Sequence, residues 1–385
     1  MNRKLKVVHI ISGLGIGGAQ TLLLDIALHL LQRTDIDLSV ITIDSGEYIE
    51  IYRKAGINTI DLAERGLVNP KIYFKLKKVL RELKPDIVHT HLHKADFYGR
   101  LAAKSIGIKN ILSTCHNYST KHSGADINKL SVFDRIDNFV AKYTGSKLIA
   151  ISDIVKKYLT NRSANFSSVT EIIYNGVDVE RRLIPKLSGD QILKLRSELG
   201  FSFDDIIILL MGRLDVQKGH LFFLNAVKDL LRTSSHLKVL ILGEGSLRHS
   251  ILQLIEFEGL SKNVVLAGFH PDSEPYTEIA DIVAVPSHWE AFGLAAVEGM
   301  IKGKIVLASD VGGLAEIITD NKDGFLFRNN DKSDLLLKLN TIMRNYPNLD
   351  HIKSAAINTV KERFDIKKTA GKYYEYYIRS SSGIN

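Results

Sequence analysis

The chain has 385 residues, 45% hydrophobic and 24% charged, the balance of an ordinary soluble protein and too long for one core, so two domains are expected. A single cysteine, Cys115, excludes an internal disulfide and fits a reducing compartment. No run approaches the roughly 20 apolar residues of a membrane span, and the basic tip with its short apolar run reads as a first strand rather than a signal peptide, so a cytoplasmic protein is expected. The net charge of +8 is uneven: residues 1–183 hold 27 Lys and Arg against 18 Asp and Glu, and residues 184–385 hold 24 against 25. Nucleic acid, an anionic membrane surface and plain solubility are all compatible with that excess.

Residues 4–12 predict a hydrophobic strand, followed by GLGIGGAQ (13–20) and an apolar helix, a βα unit with a glycine turn. Gly13, Gly15 and Gly18 satisfy G-x-G-x-x-G, and Asp44 ends the next strand (38–43), which keeps an NAD(P)-dependent oxidoreductase open. The same glycines equally let another ligand approach the backbone. Residues 71–83 set Ile72, Phe74, Leu76, Val79, Leu80 and Leu83 among Lys71, Lys75, Lys77, Lys78 and Arg81, either an interfacial membrane helix or a packed helix with a solvated basic face.

Strand 86–90 leads into HTHLH, where His89, His91 and His93 share a face if the strand continues. Such a set can hold zinc, although a polar strand end is the commoner meaning. Strand 111–114 ends at Cys115, His116 and Asn117. Neighbours on extended chain point to opposite faces, so Cys115 and His116 are not a nucleophile and base, and His116 stands as a candidate ligand contact. Strands 147–151 and 170–174 follow, the second ending in NGVD (175–178), and RRLIPKLSGD (181–190) reads as a linker.

Strands at 206–211, 239–242, 264–267, 282–285 and 305–308 then alternate with helical stretches near 219–231, 247–258 and 293–301, predicting a second parallel sheet. The expected fold class is α/β, with two Rossmann-like, doubly wound parallel-sheet domains facing a cleft. GRLDVQKG (212–219) puts Arg213 and Lys218 beside a glycine turn, as grips for a diphosphate, and GEG (243–245) ends the next strand. Residues 286–303, PSHWEAFGLAAVEGMIKG, set Glu290 and Glu298 around the start of an apolar helix at the carboxyl end of a strand, the edge where open α/β sheets bind ligands. The helix N–H groups suit a phosphate there. The plainer reading makes Glu298 a surface partner of Lys302, four residues on, and Glu290 a solvated loop acid.

Taken together, GLGIGGAQ, the His116 strand end, YNGVD, GRLDVQKG, GEG and EAFGLAAVE resemble the GT-B glycosyltransferases of family 4, retaining enzymes related to bacterial polysaccharide and lipopolysaccharide transferases, over nearly the whole chain. The resemblance implies an acceptor-binding domain (1–183), a nucleotide-sugar domain (184–365) and a last helix (366–379) returning to the first. It implies that Arg213 and Lys218 hold the diphosphate and Glu298 the ribose hydroxyls. Glu290, with the backbone of Phe292, Gly293 and Leu294, would hold the donor sugar, and His116 would contact that sugar from the other domain. Gly17 and Gly18 would approach the phosphates or acceptor, with Asn175 and Gly245 also in the substrate site. Gly299 replaces the family's usual alanine, a small loss of helix propensity.

The implied donor is a nucleotide-diphosphate sugar, with UDP the expected nucleotide, and the implied acceptor is a glycan or lipid-linked glycan. No nucleic acid, cofactor or metal is expected; no D-x-D divalent-metal motif is apparent, the one D-x-D, Asp35-Ile36-Asp37, merely preceding strand 38–43, and two fixed cations with helix N–H groups suffice to stabilise a leaving diphosphate. The resemblance favours same-face attack within an ion pair over a covalent double displacement. The oxidoreductase and a non-catalytic nucleotide-sugar-binding module stand as alternatives, though the second has no need of Glu290, His116, Arg213 and Lys218 together. The basic first half predicts peripheral, salt-sensitive association with an anionic membrane.

Overall fold

The computed structural model describes residues 3–15, 17–118 and 131–381. The chain divides into two compact units, Met1–Gly176 with Ile366–Asn385, and Val177–Asp365. The first holds β1 (Leu5–Gly13), β2 (Ile36–Asp44), β3 (Asn58–Asp61), β4 (Ile87–His91), β5 (Asn110–Cys115), β6 (Lys147–Ala150) and β7 (Thr170–Ile172). They form one parallel sheet in the order β3-β2-β1-β4-β5-β6-β7. Both faces are covered, which is why these strands read as near-continuous apolar runs rather than alternating ones.

Parallel register decides which side chains share a face. His9 lies opposite His89, and Ile11 opposite His91, with Leu112 and Thr114 next in line on β5. That face packs with helix Gly18–Leu31 and the last helix Ile366–Ser381, whose Tyr373, Tyr376 and Tyr377 enter the core with Leu22, Ile26 and Leu30. The opposite face, with Val8, Ile10, Val88 and Ile111, packs on Ile72, Leu76 and Leu80 of helix Pro70–Leu83 and on Ala95, Ala102 and Ala103 of helix His93–Ser105.

The second unit holds β8 (Ile206–Met211), β9 (Leu237–Leu242), β10 (Val264–Gly268), β11 (Ile282–Val285), β12 (Ile305–Ser309) and β13 (Phe325–Phe327), a parallel sheet in the order β10-β9-β8-β11-β12-β13. Strand order reverses between β1 and β4 in one sheet and between β8 and β11 in the other. Those switch points are where crossover helices part to opposite faces and leave a crevice at the carboxyl ends of the strands.

The units divide at Gly176 rather than after Leu183, where proline and glycine suggest a linker. The Val177 N–H donates to the Phe364 carbonyl at 2.9 Å, and helix Val179–Leu183 sends Arg182 to Glu298 at 2.8 Å. The presumed linker instead opens helix Gly189–Glu198 with a reciprocal Ser188 and Gln191 capping box.

Candidate active site

At the switch point of the second sheet, β8 ends and the chain makes a 3-10 turn, Val216–Lys218, capped by the Asp215 side chain. Gly219 ends that turn with φ 68°, and a Cβ there would sit 1.9 Å from the Pro286 carbonyl oxygen. Only glycine lets the turn abut the loop after β11 this closely. The two segments are then stitched together: the His288 N–H donates to the Gln217 carbonyl at 2.8 Å, and the Gln217 side-chain amide donates to the Trp289 carbonyl at 3.1 Å.

This stitching brings Lys218 Nζ to 2.6 Å from Glu290 Oε2, which also accepts from Ser287 Oγ at 3.1 Å. Glu290 is buried and Lys218 only partly exposed, so the charges are largely withdrawn from water and held in place, as a group meant to act on a charged ligand needs. Glu290 is thus a fixed ion-pair partner, not a solvated loop acid. Next along, Phe292 is buried against Phe364, Gly293 takes φ 113° as N-cap, and Leu294 opens helix Leu294–Ile301 without a side-chain cap. The first N–H groups of that helix therefore have no side-chain acceptor. Burial holds the neighbouring His220 imidazole down to about 4, with the Lys218 charge adding to the effect.

Arg213 differs. Its side chain is 69% exposed and its partner is Asp215, at 3.1 Å. Gly245 belongs to the same loop cluster, for the Leu214 N–H donates to the Glu244 carbonyl and a Cβ on Gly245 would meet the Leu214 carbonyl at 2.5 Å. Glu298 does not pair with Lys302, as the surface reading has it. Lys302 binds Glu278 at 2.7 Å, while Glu298 accepts from the buried Arg182 at 2.8 Å. Arg182 and Ser287 are contributors that sequence reading misses. Ser287 sits three residues before Glu290, a legible spacing, but nothing local marks Arg182.

In the first unit Gly17 and Gly18 precede and open helix Gly18–Leu31, and the Gln20 amide donates back to the Gly13 carbonyl at 2.9 Å. Asp44, the acid that a dinucleotide site would commit to a ribose, is held on both oxygens by Lys94 at 2.7 Å. Asn175 is buried, and among the described residues its Oδ1 has no hydrogen-bond partner. Burial pushes the Cys115 thiol up to about 12, so it is no thiolate nucleophile at neutral pH.

The histidines fall differently from the HTHLH expectation. Leu92 takes φ 71° and starts helix His93–Ser105, so His93 leaves the face and His9, from β1, takes its place: ligand atoms of His9, His89 and His91 lie within 4.8 Å of one another. Both ring nitrogens of each are engaged by neighbouring side chains rather than converging on a vacant centre. His91 Nδ1 lies 3.0 Å from His116 Nε2, and His116, half-buried, is the outermost of the group.

Two family models match this chain: Glycosyltransferase Family 4 over residues 16–181 and Glycosyl transferases group 1 over residues 191–359. The chain belongs to glycosyltransferase family 4. It is similar to the Escherichia coli UDP-Gal:alpha-D-GlcNAc-diphosphoundecaprenol alpha-1,3-galactosyltransferase, 26% identical over 97% of both chains. It is also similar to the Campylobacter jejuni N-acetylgalactosamine-N,N'-diacetylbacillosaminyl-diphospho-undecaprenol 4-alpha-N-acetylgalactosaminyltransferase, 28% identical over 80% of both. Among solved structures, Anabaena HepE in complex with UDP superposes with a TM-score of 0.81 at 23% identity, covering 97% of this chain and 99% of that one. This glycosyltransferase therefore has the GT-B fold, two parallel-sheet α/β domains.

Proposed function

We propose that this glycosyltransferase moves a sugar, with retention and without a metal, from a UDP-sugar to a lipid-linked glycan in cell-surface polysaccharide synthesis. The observation that carries the reading is the Lys218–Glu290 pair at 2.6 Å beside the uncapped start of helix Leu294–Ile301. As the glycosidic bond to the diphosphate breaks, negative charge grows on the phosphate oxygens. Lys218, Arg213 and the helix N–H groups are placed to take it up in advance of the reaction. Glu290 and the backbone of residues 292–294 orient the sugar, Glu298 accepts from the ribose, and His116 contacts the transferred sugar, with Asn175, Gly17, Gly18 and Gly245 completing the substrate surface. The leaving phosphate deprotonates the acceptor on the face it departs from. The names of two relatives carry a diphosphoundecaprenol acceptor, which favours a lipid-linked one here. An NAD(P)-dependent oxidoreductase is disfavoured by the Lys94 hold on Asp44. A panel of nucleotide sugars scored by thermal shift and nucleotide release tests the proposal. A bound donor raises the thermal midpoint by mass action, and turnover confined to non-uridine donors would overturn the UDP assignment.

A lipid-linked acceptor places the work at a bilayer. Helix Pro70–Leu83 buries Ile72, Leu76 and Leu80 in the core and leaves Phe74 as its one large exposed apolar side chain, so Lys71, Lys75, Lys77, Lys78 and Arg81, of which Lys75 already pairs with Glu64 at 2.6 Å, offer chiefly charge. The surface better suited to insertion is helix Val132–Thr144, where Val132, Ile136, Phe139 and Tyr143 recur at helical spacing and stand 44–70% exposed. Co-sedimentation with phosphatidylglycerol vesicles is expected to drop on Ile136→Ser with Phe139→Ser, and to lose salt sensitivity when the five cations become Gln. Unchanged pelleting in both variants would leave these helices without a membrane role.

A further inference from the structure

Four histidines of the first unit, His116, His91, His9 and His89, belong to one unbranched chain of hydrogen bonds, and counting its protons assigns a tautomer. In order the links are His116 Nε2 to His91 Nδ1 at 3.0 Å, His91 Nε2 to His9 Nδ1 at 2.8 Å, His9 Nε2 to Tyr377 Oη at 3.2 Å, Tyr377 Oη to His89 Nδ1 at 2.7 Å, His89 Nε2 to Thr114 Oγ1 at 2.8 Å, and Thr114 Oγ1 to Tyr373 Oη at 3.1 Å. Every member except His116 is buried. Burial also keeps the imidazoles neutral, with His9 lowered to about 3 and His116 to about 4. A neutral imidazole has one N–H and one acceptor, and each hydroxyl has one O–H.

Each link holds one proton, and an imidazole that accepts at one nitrogen donates at the other. A hydroxyl can accept at both of its links only by orphaning its own buried O–H, so in a fully satisfied chain the protons all point the same way. If they run inward from His116, the chain ends on Tyr373 with a buried phenol O–H that has no acceptor among the described residues. An orphaned buried donor is the costly arrangement. If they run outward, Tyr373 donates to Thr114, Thr114 to His89, His89 to Tyr377, Tyr377 to His9, His9 to His91, and His91 to His116, and every buried donor is satisfied. The leftover proton then sits on His116 Nδ1, which has no partner among the described residues.

We propose that this buried chain holds His116 as the Nδ1–H tautomer, with His91 as the positioning residue that donates to its Nε2, so that His116 offers its ligand a hydrogen-bond donor and not a base. The proposal rests on the reading of His116 as a contact to the transferred sugar. It specifies that contact: His116 donates to a sugar oxygen and does not take the acceptor's proton.

The test is nitrogen-15 NMR of the full chain labelled at histidine, with the His116 signal assigned by its loss in His116→Gln. The wild-type protein is expected to show Nδ1–H. Tyr373→Phe removes one oxygen from the far end of the chain but only moves the inward direction's orphaned donor onto the buried Thr114 hydroxyl, so it is expected to leave the Nδ1–H form of His116 in place. An Nε2–H His116 in the wild type or in Tyr373→Phe overturns the proposal. With UDP-glucose and UDP-galactose as probes, His91→Phe is expected to lower kcat about tenfold, the worth of one directed hydrogen bond. His91→Asn, whose amide N–H reaches where Nδ1–H was, is expected to restore most of it. Equal loss in both variants reduces His91 to packing and overturns its positioning role. If the wild type shows Nδ1–H and His116→Ala retains full turnover, the tautomer stands and the sugar contact fails.

Discussion

The loop cluster of the second unit and the histidine chain of the first both sit at the switch point of their own sheet, yet one uses formal charge and the other none. Lys218 and Glu290 form an ion pair between the turn after β8 and the loop after β11, with Lys218 still reaching water; His9, His89 and His91 are sealed in the core and held neutral by burial. Desolvating an ion costs far more than desolvating a dipole, so charge is kept at the edge and dipoles are sunk in the interior. A departing diphosphate needs charge, and a neutral sugar needs direction. Lys218→Ala should break the charged half most completely, lowering kcat/KM about 10²- to 10³-fold, the usual loss on removing a preorganised group from developing charge. Adding Glu290→Gln should cost less than its single effect, because the two act as a pair. Multiplicative losses in the double mutant would show that they do not.

The neutral half should fail to acid. A histidine whose pKa is lowered by folding binds fewer protons in the native state than in the unfolded one, so its stability contribution is complete above pH about 6.5 and is lost as the pH falls toward the folded value. For His9, lowered to about 3 by burial, the loss at pH 5 is about 2 kcal/mol, and His89 and His91 shift in the same direction. The second unit has His220, at about 4, and the less perturbed His288. Between pH 7 and 5, amide protection factors, exchange rates taken relative to the intrinsic rate at each pH, are expected to fall more in β1 and β4 than in β8 and β11. An equal fall would contradict the assignment of the acid-sensitive groups.

The same contrast explains what was legible in the sequence. The long buried strands announce themselves as apolar runs closed by glycine or a polar cluster, and Lys218 and Glu290 lie in local motifs that name their partners by type. β3 and β13, of four and three residues, are too short to carry a period. Glu298 finds its partner 116 residues away and Tyr377 meets His89 across 288, distances at which no spacing rule operates. The expected shared face of His89, His91 and His93 did not form, for a local reason: Leu92 adopts a positive φ that only glycine or asparagine would have advertised. His9 was visible only as a polar residue inside an apolar strand.

Glu298 joins the charged site to the body of the second unit, and its substitution separates structure from binding. Arg182 is buried, and with Glu298 gone its next carboxylate, Glu274, lies 3.9 Å away. Glu298→Ala is expected to cost about 1–3 kcal/mol of stability, as for a buried charge stripped of one partner, seen as a lower thermal midpoint. Glu298→Gln keeps an oxygen for Arg182 and should recover part of the stability while UDP affinity stays low. A Gln variant that binds UDP like the wild type would confine Glu298 to holding Arg182.

Arg213 should give the smallest effect of the charged residues. Its side chain is 69% exposed and tied only to Asp215, so it must be ordered when ligand arrives, and the rotamer entropy lost offsets much of the attraction. Lys218 has already met that cost through Glu290 and the packed turn. Arg213→Gln is therefore expected to weaken UDP binding about tenfold at low salt, with an unchanged thermal midpoint. The deficit should shrink near 1 M salt, where screening reaches within about 3 Å. Titration calorimetry with UDP at two ionic strengths reads both numbers. A salt-independent loss as large as that of Lys218→Ala would mean that Arg213 is held as firmly as Lys218 once UDP is bound, and the graded contrast between a fixed and a recruited cation would not hold.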